Sequence, residues 1–344
     1  MRAGGLLVVT GGAGFIGSHL VERLLADGHR VAVVDDLSTG TLANLQAVRN
    51  DPRLEVEIAS VSNSRRLPRW MARAEGVFHL AAAVGVELVV RAPIHVCRAN
   101  LRETEVVLEL AARRQTPLLL ASTSEVYGRS AKREFAEDDD LLIGPPTHAR
   151  WTYACSKLMD EFLAMAYAHE RRLPVIISRI FNTVGPRQTG QYGMVLPRFI
   201  EAARTGAPLR VFGTGRQSRC FCWVLDTVEA LVRLFRCPRA HGQIFNVGST
   251  EEVTIRRLAE LVIRLLGSSS RIQTVPYARA YAPGFEDMQR RRPRITKLVR
   301  YTGFRPRTPL REIILRTAAS SGPVSGGPGP SSRADRPATR RSKE

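Results

Sequence analysis

A short strand-forming run, Leu6–Thr10, leads directly into Gly11-Gly12-Ala13-Gly14-Phe15-Ile16-Gly17, and this junction restricts the fold more than any other stretch of the chain. A run without polar alternation describes a strand covered on both faces, as in a parallel sheet. The three spaced glycines then have separate uses. Gly11 permits a tight strand exit, Gly14 lets the backbone approach a pyrophosphate, and Gly17 allows the following helix to pack closely on the strand. A helix from Phe15 to about Ala26 is predicted, closed by Gly28, with its first N–H groups available to phosphate. Asp35 stands at the end of the next strand, 18 residues after Gly17. A carboxylate there accepts both ribose hydroxyls of an adenosine and repels a 2′-phosphate, so NAD is expected rather than NADP.

The same rhythm continues. Apolar strands are predicted at 30–34, 54–59, 76–80, 118–122 and 175–179, with helices between them, notably at 101–113 and 153–171. Strand and helix alternating at this spacing give an α/β fold, a Rossmann-type doubly wound parallel sheet. Past about Asn182 the alternation lapses into a Gly/Pro-rich connection, a helix near 194–205, a strand at 209–212 and a helix at 255–266. The expected organisation is a dinucleotide-binding domain over 1–181, a smaller mixed α/β substrate lobe over 182–317 closing on the sheet's carboxyl edge, and a disordered Gly/Pro/Ser/Arg tail over 318–344.

Composition removes several alternatives. The chain has 344 residues, 44% of them hydrophobic, and no run of 18 apolar residues, so a membrane span is not expected. Its five cysteines (Cys97, Cys155, Cys220, Cys222 and Cys237) form neither a metal-ligand nor a disulfide pattern, which fits a reducing cytoplasm. Cys220 and Cys222 alternate along an expected strand and read as packed side chains. A net charge of +19 invites a nucleic-acid reading, but the arginines are scattered and no nucleic-acid module is present. Nucleic acid is not the expected partner, whereas an anionic small molecule suits a basic surface.

The chemistry is concentrated at two places. Ser122-Thr123-Ser124-Glu125 follows the strand at 118–122 and so lies on the carboxyl edge, beside a nicotinamide. Tyr153 and Lys157 are four residues apart on one helix face. The ammonium is expected to lower the phenol's pKa, so that the phenolate removes a proton from a sugar hydroxyl. Thr123 can hydrogen-bond the same hydroxyl. Capping explains Thr123 and Ser124 equally, and an acid in a first helical turn suits the helix dipole, so each residue also has a purely structural explanation.

Together GGAGFIGS, HLAAAVG at 79–85, STSEVYG at 122–128, Tyr-x-x-x-Lys at 153–157 and FNTVGPRQ at 181–188 resemble the extended short-chain dehydrogenase/reductase family over roughly residues 5–316. That family includes NAD-dependent nucleotide-sugar epimerases, dehydratases and decarboxylases. The resemblance implies a nucleotide-sugar substrate, a homodimer built on a helix bundle, and a cofactor site that takes in Gly11, Gly14, Phe15, Ile16, Gly17, Asp35, Asp36, Ser60, Val61, Leu80, Ala81, Ala82, Tyr153 and Lys157. Glu125 stands where UDP-galactose 4-epimerases usually have a small residue. The segments 144–157 and 284–293 resemble the decarboxylase domain of the bifunctional polymyxin-resistance enzyme. The implied activity is UDP-glucuronate decarboxylation, with 4-epimerisation and 4,6-dehydration as alternatives. The implied catalytic set is Thr123, Ser124, Glu125, Tyr153 and Lys157. Asn182, Arg219 and Arg291 are implied at the diphosphate and Arg187 near the sugar, with no metal.

Overall fold

The computed structural model describes residues 4–190, 194–277 and 288–320. Thirteen strands are named in chain order: β1 (Leu6–Thr10), β2 (Arg30–Asp35), β3 (Leu54–Ile58), β4 (Gly76–His79), β5 (Leu118–Thr123), β6 (Val175–Ile180), β7 (Thr183–Val184), β8 (Leu209–Phe212), β9 (Ser218–Cys220), β10 (Cys222–Trp223), β11 (Gln243–Val247), β12 (Glu252–Thr254) and β13 (Ile272–Val275). The α-helices are α1 (Phe15–Ala26), α2 (Leu67–Met71), α3 (Val86–Arg91), α4 (Pro93–Ala112), α5 (Trp151–Glu170), α6 (Val195–Thr205), α7 (Val224–Phe235), α8 (Ile255–Leu265), α9 (Thr296–Thr302) and α10 (Leu310–Ser320).

Seven strands form one parallel sheet in the order β11-β6-β5-β4-β1-β2-β3. Successive side chains of a strand point to opposite faces, and both faces here are covered. Leu7, Val9, Val31 and Val33 join a core with α1, α7 and α9. Val8, Ala32 and Val34 join the opposite core with α2, α4 and α5. This two-sided burial is why the strands read as continuous apolar runs. A third core, from α6, α8, α10, β8 and β10, supports the smaller part of the molecule.

The cut at 181/182 does not follow sheet membership. β11 returns from beyond it to pair with β6, and α7 packs on the face that carries α1. α10 runs to Ser320, taking in the first three residues of the expected tail, because Leu310, Ile313, Ile314 and Thr317 are buried. Cys220 and Cys222 are both buried, but on two short strands of different sheets. Residues 321–344 of the tail and 284–287 of the segment carrying Arg291 lie outside the described residues. No described helix is long and apolar enough to cross a membrane.

Candidate active site

The carboxyl ends of the parallel strands open into a cleft of about 1710 Å³ that runs from the glycine turn to the smaller lobe. At the turn, Gly11 has φ +72°, and a Cβ there would lie 2.7 Å from the amide nitrogen of Ala81. A Cβ on Gly17 would lie 2.0 Å from the Gly11 carbonyl oxygen. The backbone is therefore bare where a pyrophosphate would meet the start of α1. The buried Asp35 carboxylate accepts from the Ala13 and Leu37 amides, each at 2.9 Å, and so ties the turn to the end of β2. Burial raises its pKa against those hydrogen bonds. The turn, Asp35 and the strand ends bearing Asp36, Ser60, Val61, Leu80, Ala81 and Ala82 all line the cleft and suit a dinucleotide. Lys157 does not line it.

At the other end of the cleft, Thr123 ends β5 and caps a 3-10 turn, its hydroxyl accepting from the Glu125 amide at 3.2 Å. That turn presents Ser124 and Glu125. Arg291 reaches them from far along the chain. Its Nη2 donates to Glu125 Oε1 at 3.0 Å, and its Nη1 lies 3.4 Å from Asn182 Oδ1 and 3.5 Å from Ser124 Oγ. Arg150, which the sequence reading missed, is 3.9 Å from Glu125 Oε2 and only 7% exposed. Burial alone would raise the Glu125 pKa, but Arg291, Arg150 and Arg219 together hold it below the usual carboxylate range. Arg219, buried on β9, also donates to its neighbour Ser218's carbonyl at 2.7 Å. Asn182 adopts φ +22° and donates to the Cys220 carbonyl at 3.2 Å.

Arg187 donates to Ser18 Oγ at 3.1 Å and to Glu22 at 2.5 Å on the cofactor helix, and lines the cleft. One expectation needs correction, and it concerns the phenol. Tyr153 contacts Thr123, but its pKa is raised, first by burial and then by the charges of Glu125 and Asp160. Lys157 is 2% exposed and donates to Asp160 at 2.8 Å. Its ammonium is thus paired with a carboxylate one turn along the same helix.

Asn100 on α4 was also missed. Its Oδ1 accepts from the Ala83 amide at 2.7 Å, and its Nδ2 donates to Ser156 Oγ at 3.0 Å. Ser156 in turn donates to the Tyr153 carbonyl at 2.9 Å, so α4 fixes the helix turn that bears the phenol. No local pattern marks Asn100. Asp160, at i+3 from Lys157, could have been found from helix spacing alone.

The model of the NAD-dependent epimerase/dehydratase family matches residues 7–248. The chain belongs to this family. Relatives within it include a UDP-N-acetyl-alpha-D-glucosaminuronate decarboxylase of Bacillus cytotoxicus, 40% identical over 87% of this chain and 92% of the relative. UDP-glucuronic acid decarboxylase 1 of Danio rerio is 35% identical over 90% of this chain and 71% of its own. Among solved structures, UDP-glucuronic acid 4-epimerase of Bacillus cereus, in complex with UDP-glucuronic acid and NAD, superimposes with a TM-score of 0.83 at 25% identity, covering 92% of this chain and 98% of that one. As a family member the chain is an NAD-dependent enzyme of nucleotide-sugar chemistry, an extended short-chain dehydrogenase/reductase.

Proposed function

We propose that the chain decarboxylates UDP-glucuronate through a 4-keto intermediate. The Glu125–Arg291 pair carries this reading: an acid and a guanidinium, backed by Ser124 and Arg150, beside Tyr153 at the end of β5. A hexuronate brings a carboxylate on C6 that such a guanidinium can hold in two-point contact. Asn182 and Arg219 lie within the same cleft for the diphosphate.

The glycine turn, Asp35 and Tyr153 would hold NAD+, with Lys157 buried one helical turn beyond Tyr153, and the cofactor would supply the hydride acceptor for C4. Tyr153 takes the proton from the 4-hydroxyl, with Thr123 orienting that group. The resulting C4 ketone is β to the C6 carboxylate. When the C5–C6 bond breaks and CO2 leaves, the electron pair on C5 delocalises into the ketone, so no metal is needed. Glu125, Ser124 and Arg291 position the carboxylate and manage the proton that C5 then takes up. Hydride return to C4 gives UDP-xylose, and earlier release gives the 4-keto pentose. A second reading, the 2-acetamido hexuronate, is favoured by the 40% identity to the Bacillus cytotoxicus enzyme.

The test is incubation of the purified chain with NAD and either hexuronate, followed by mass spectrometry of the products. Release of CO2 with a pentose nucleotide is expected. UDP-galacturonate as the sole product of UDP-glucuronate would reject decarboxylation in favour of 4-epimerisation.

We further propose a cytoplasmic homodimer and a two-lobed division of labour, the sheet holding the dinucleotide and the part beyond Asn182 the nucleotide sugar. Ile94, Cys97 and Leu101 on α4, and Cys155, Met159 and Phe162 on α5, are exposed at helical spacing. Cys97 and Cys155 neighbour each other, so the two stripes form one apolar face suited to a second copy.

A further inference from the structure

Beneath the Tyr153–Lys157 pair, Asp160 is fully buried. Lys157 Nζ donates to its Oδ2 at 2.8 Å. A hydrogen-bonded series runs from the sheet towards the same carboxylate and ends at Thr104. The Ala81 amide donates to Thr10 Oγ1 at 3.3 Å, Thr10 Oγ1 lies 2.7 Å from His79 Nδ1, and His79 Nε2 lies 3.2 Å from Thr104 Oγ1. The Thr104 hydroxyl faces Asp160. Burial, aided by Lys157, holds the His79 pKa at about 3, so the ring is neutral and donates from one nitrogen while accepting at the other.

We propose that Asp160 is a positioning residue that fixes and neutralises Lys157, and thereby sets the proton affinity of the Tyr153–Lys157 pair. The proposal rests on the catalytic reading of that pair given above. Burying an ammonium without a counter-charge is costly, and Asp160 supplies that counter-charge to Lys157. The same carboxylate cancels the field that would otherwise ionise the phenol. The resting site thus holds phenol, ammonium and carboxylate. Of the other charges around it, Glu161 is tied to Arg179, and Glu125 sits among Arg291, Arg150 and Arg219. Oxidised dinucleotide adds one positive charge, and its binding drives a proton off the pair. The reduced form adds none at the ring. In this arrangement the base is formed when the oxidised cofactor arrives.

Asp160→Asn tests this. Phenolate with ammonium, and phenol with neutral amine, contain equal numbers of protons, so removing a negative charge lowers the pair's proton affinity whichever group ionises. At an effective dielectric constant of about 20, removing one charge this close shifts the pair by at least about one pH unit. Calorimetry of NAD+ binding between pH 6 and about 9.5, in buffers of different ionisation enthalpy, reads the proton released. The pH window of release is expected to move down by about one unit, with NADH releasing none in either protein. The acidic limb of kcat/KM moves with it on whichever hexuronate the wild type turns over. A release window that is unmoved or moved upward, in a variant with wild-type circular dichroism, overturns the proposal. Asp160→Ser serves if the asparagine variant does not fold. A shifted window in an enzyme inactive on both hexuronates would count against the proposed function alone. Decarboxylation with an unmoved window would count against this inference alone.

Discussion

Glu125 carries one negative charge among three guanidinium groups, and a neutral amide in its place leaves them uncompensated. Glu125→Gln is expected to lower kcat for CO2 release by about 100-fold or more while NAD binding is retained, as measured by single-turnover product analysis. His79 has its own pH signature. Its folded pKa of about 3 lies below the ordinary 6.5. Between those values the unfolded chain binds a proton that the folded chain refuses. The stability His79 contributes above pH 6.5 is therefore lost as pH falls through that window. By pH 5 the loss is about 2 kcal/mol. Urea unfolding at pH 7 and pH 5, compared between wild type and His79→Asn, reads the difference, and the variant is expected to lack that part of the slope.

Gly17 decides how closely α1 approaches β1. An added methyl would meet backbone and not a movable side chain, so α1 must retreat. Gly17→Ala is expected to weaken NAD binding at least tenfold and to cost about 1–3 kcal/mol, checked by calorimetry and denaturation. The elements most legible in the sequence are those with local causes. The run at Leu6–Thr10 and the glycine turn after it appear where the apolar pattern and the glycine spacing put them. α7 and β11 were not foreseen although both are strongly apolar, because the place of β11 depends on pairing with β6, about 70 residues earlier. The site divides in the same way. Tyr153, Lys157 and the 123–125 turn are local motifs. Arg150 and Asn100 gain their meaning only from what faces them across α4, α5 and the sheet edge. The phenol's pKa was misjudged because burial, which raises it first, and the charges of Glu125 and Asp160 depend on how the chain packs.

At the scale of the molecule, α4 and α5 pack side by side and leave an apolar stripe outward, with Ile94 at 74% and Phe162 at 65% exposure. Phe162→Glu is expected to convert a dimer to a monomer in light scattering after gel filtration, with little loss of monomer stability because the side chain is outside the core. A monomeric wild type would refute the homodimer. The late return of β11 has a consequence for biosynthesis. A ribosome adds more than 60 residues after β6 before the edge of the main sheet can close. Throughout that interval the nascent polypeptide offers an unpaired backbone rim to its neighbours, the kind of surface on which aggregates are templated and chaperones act.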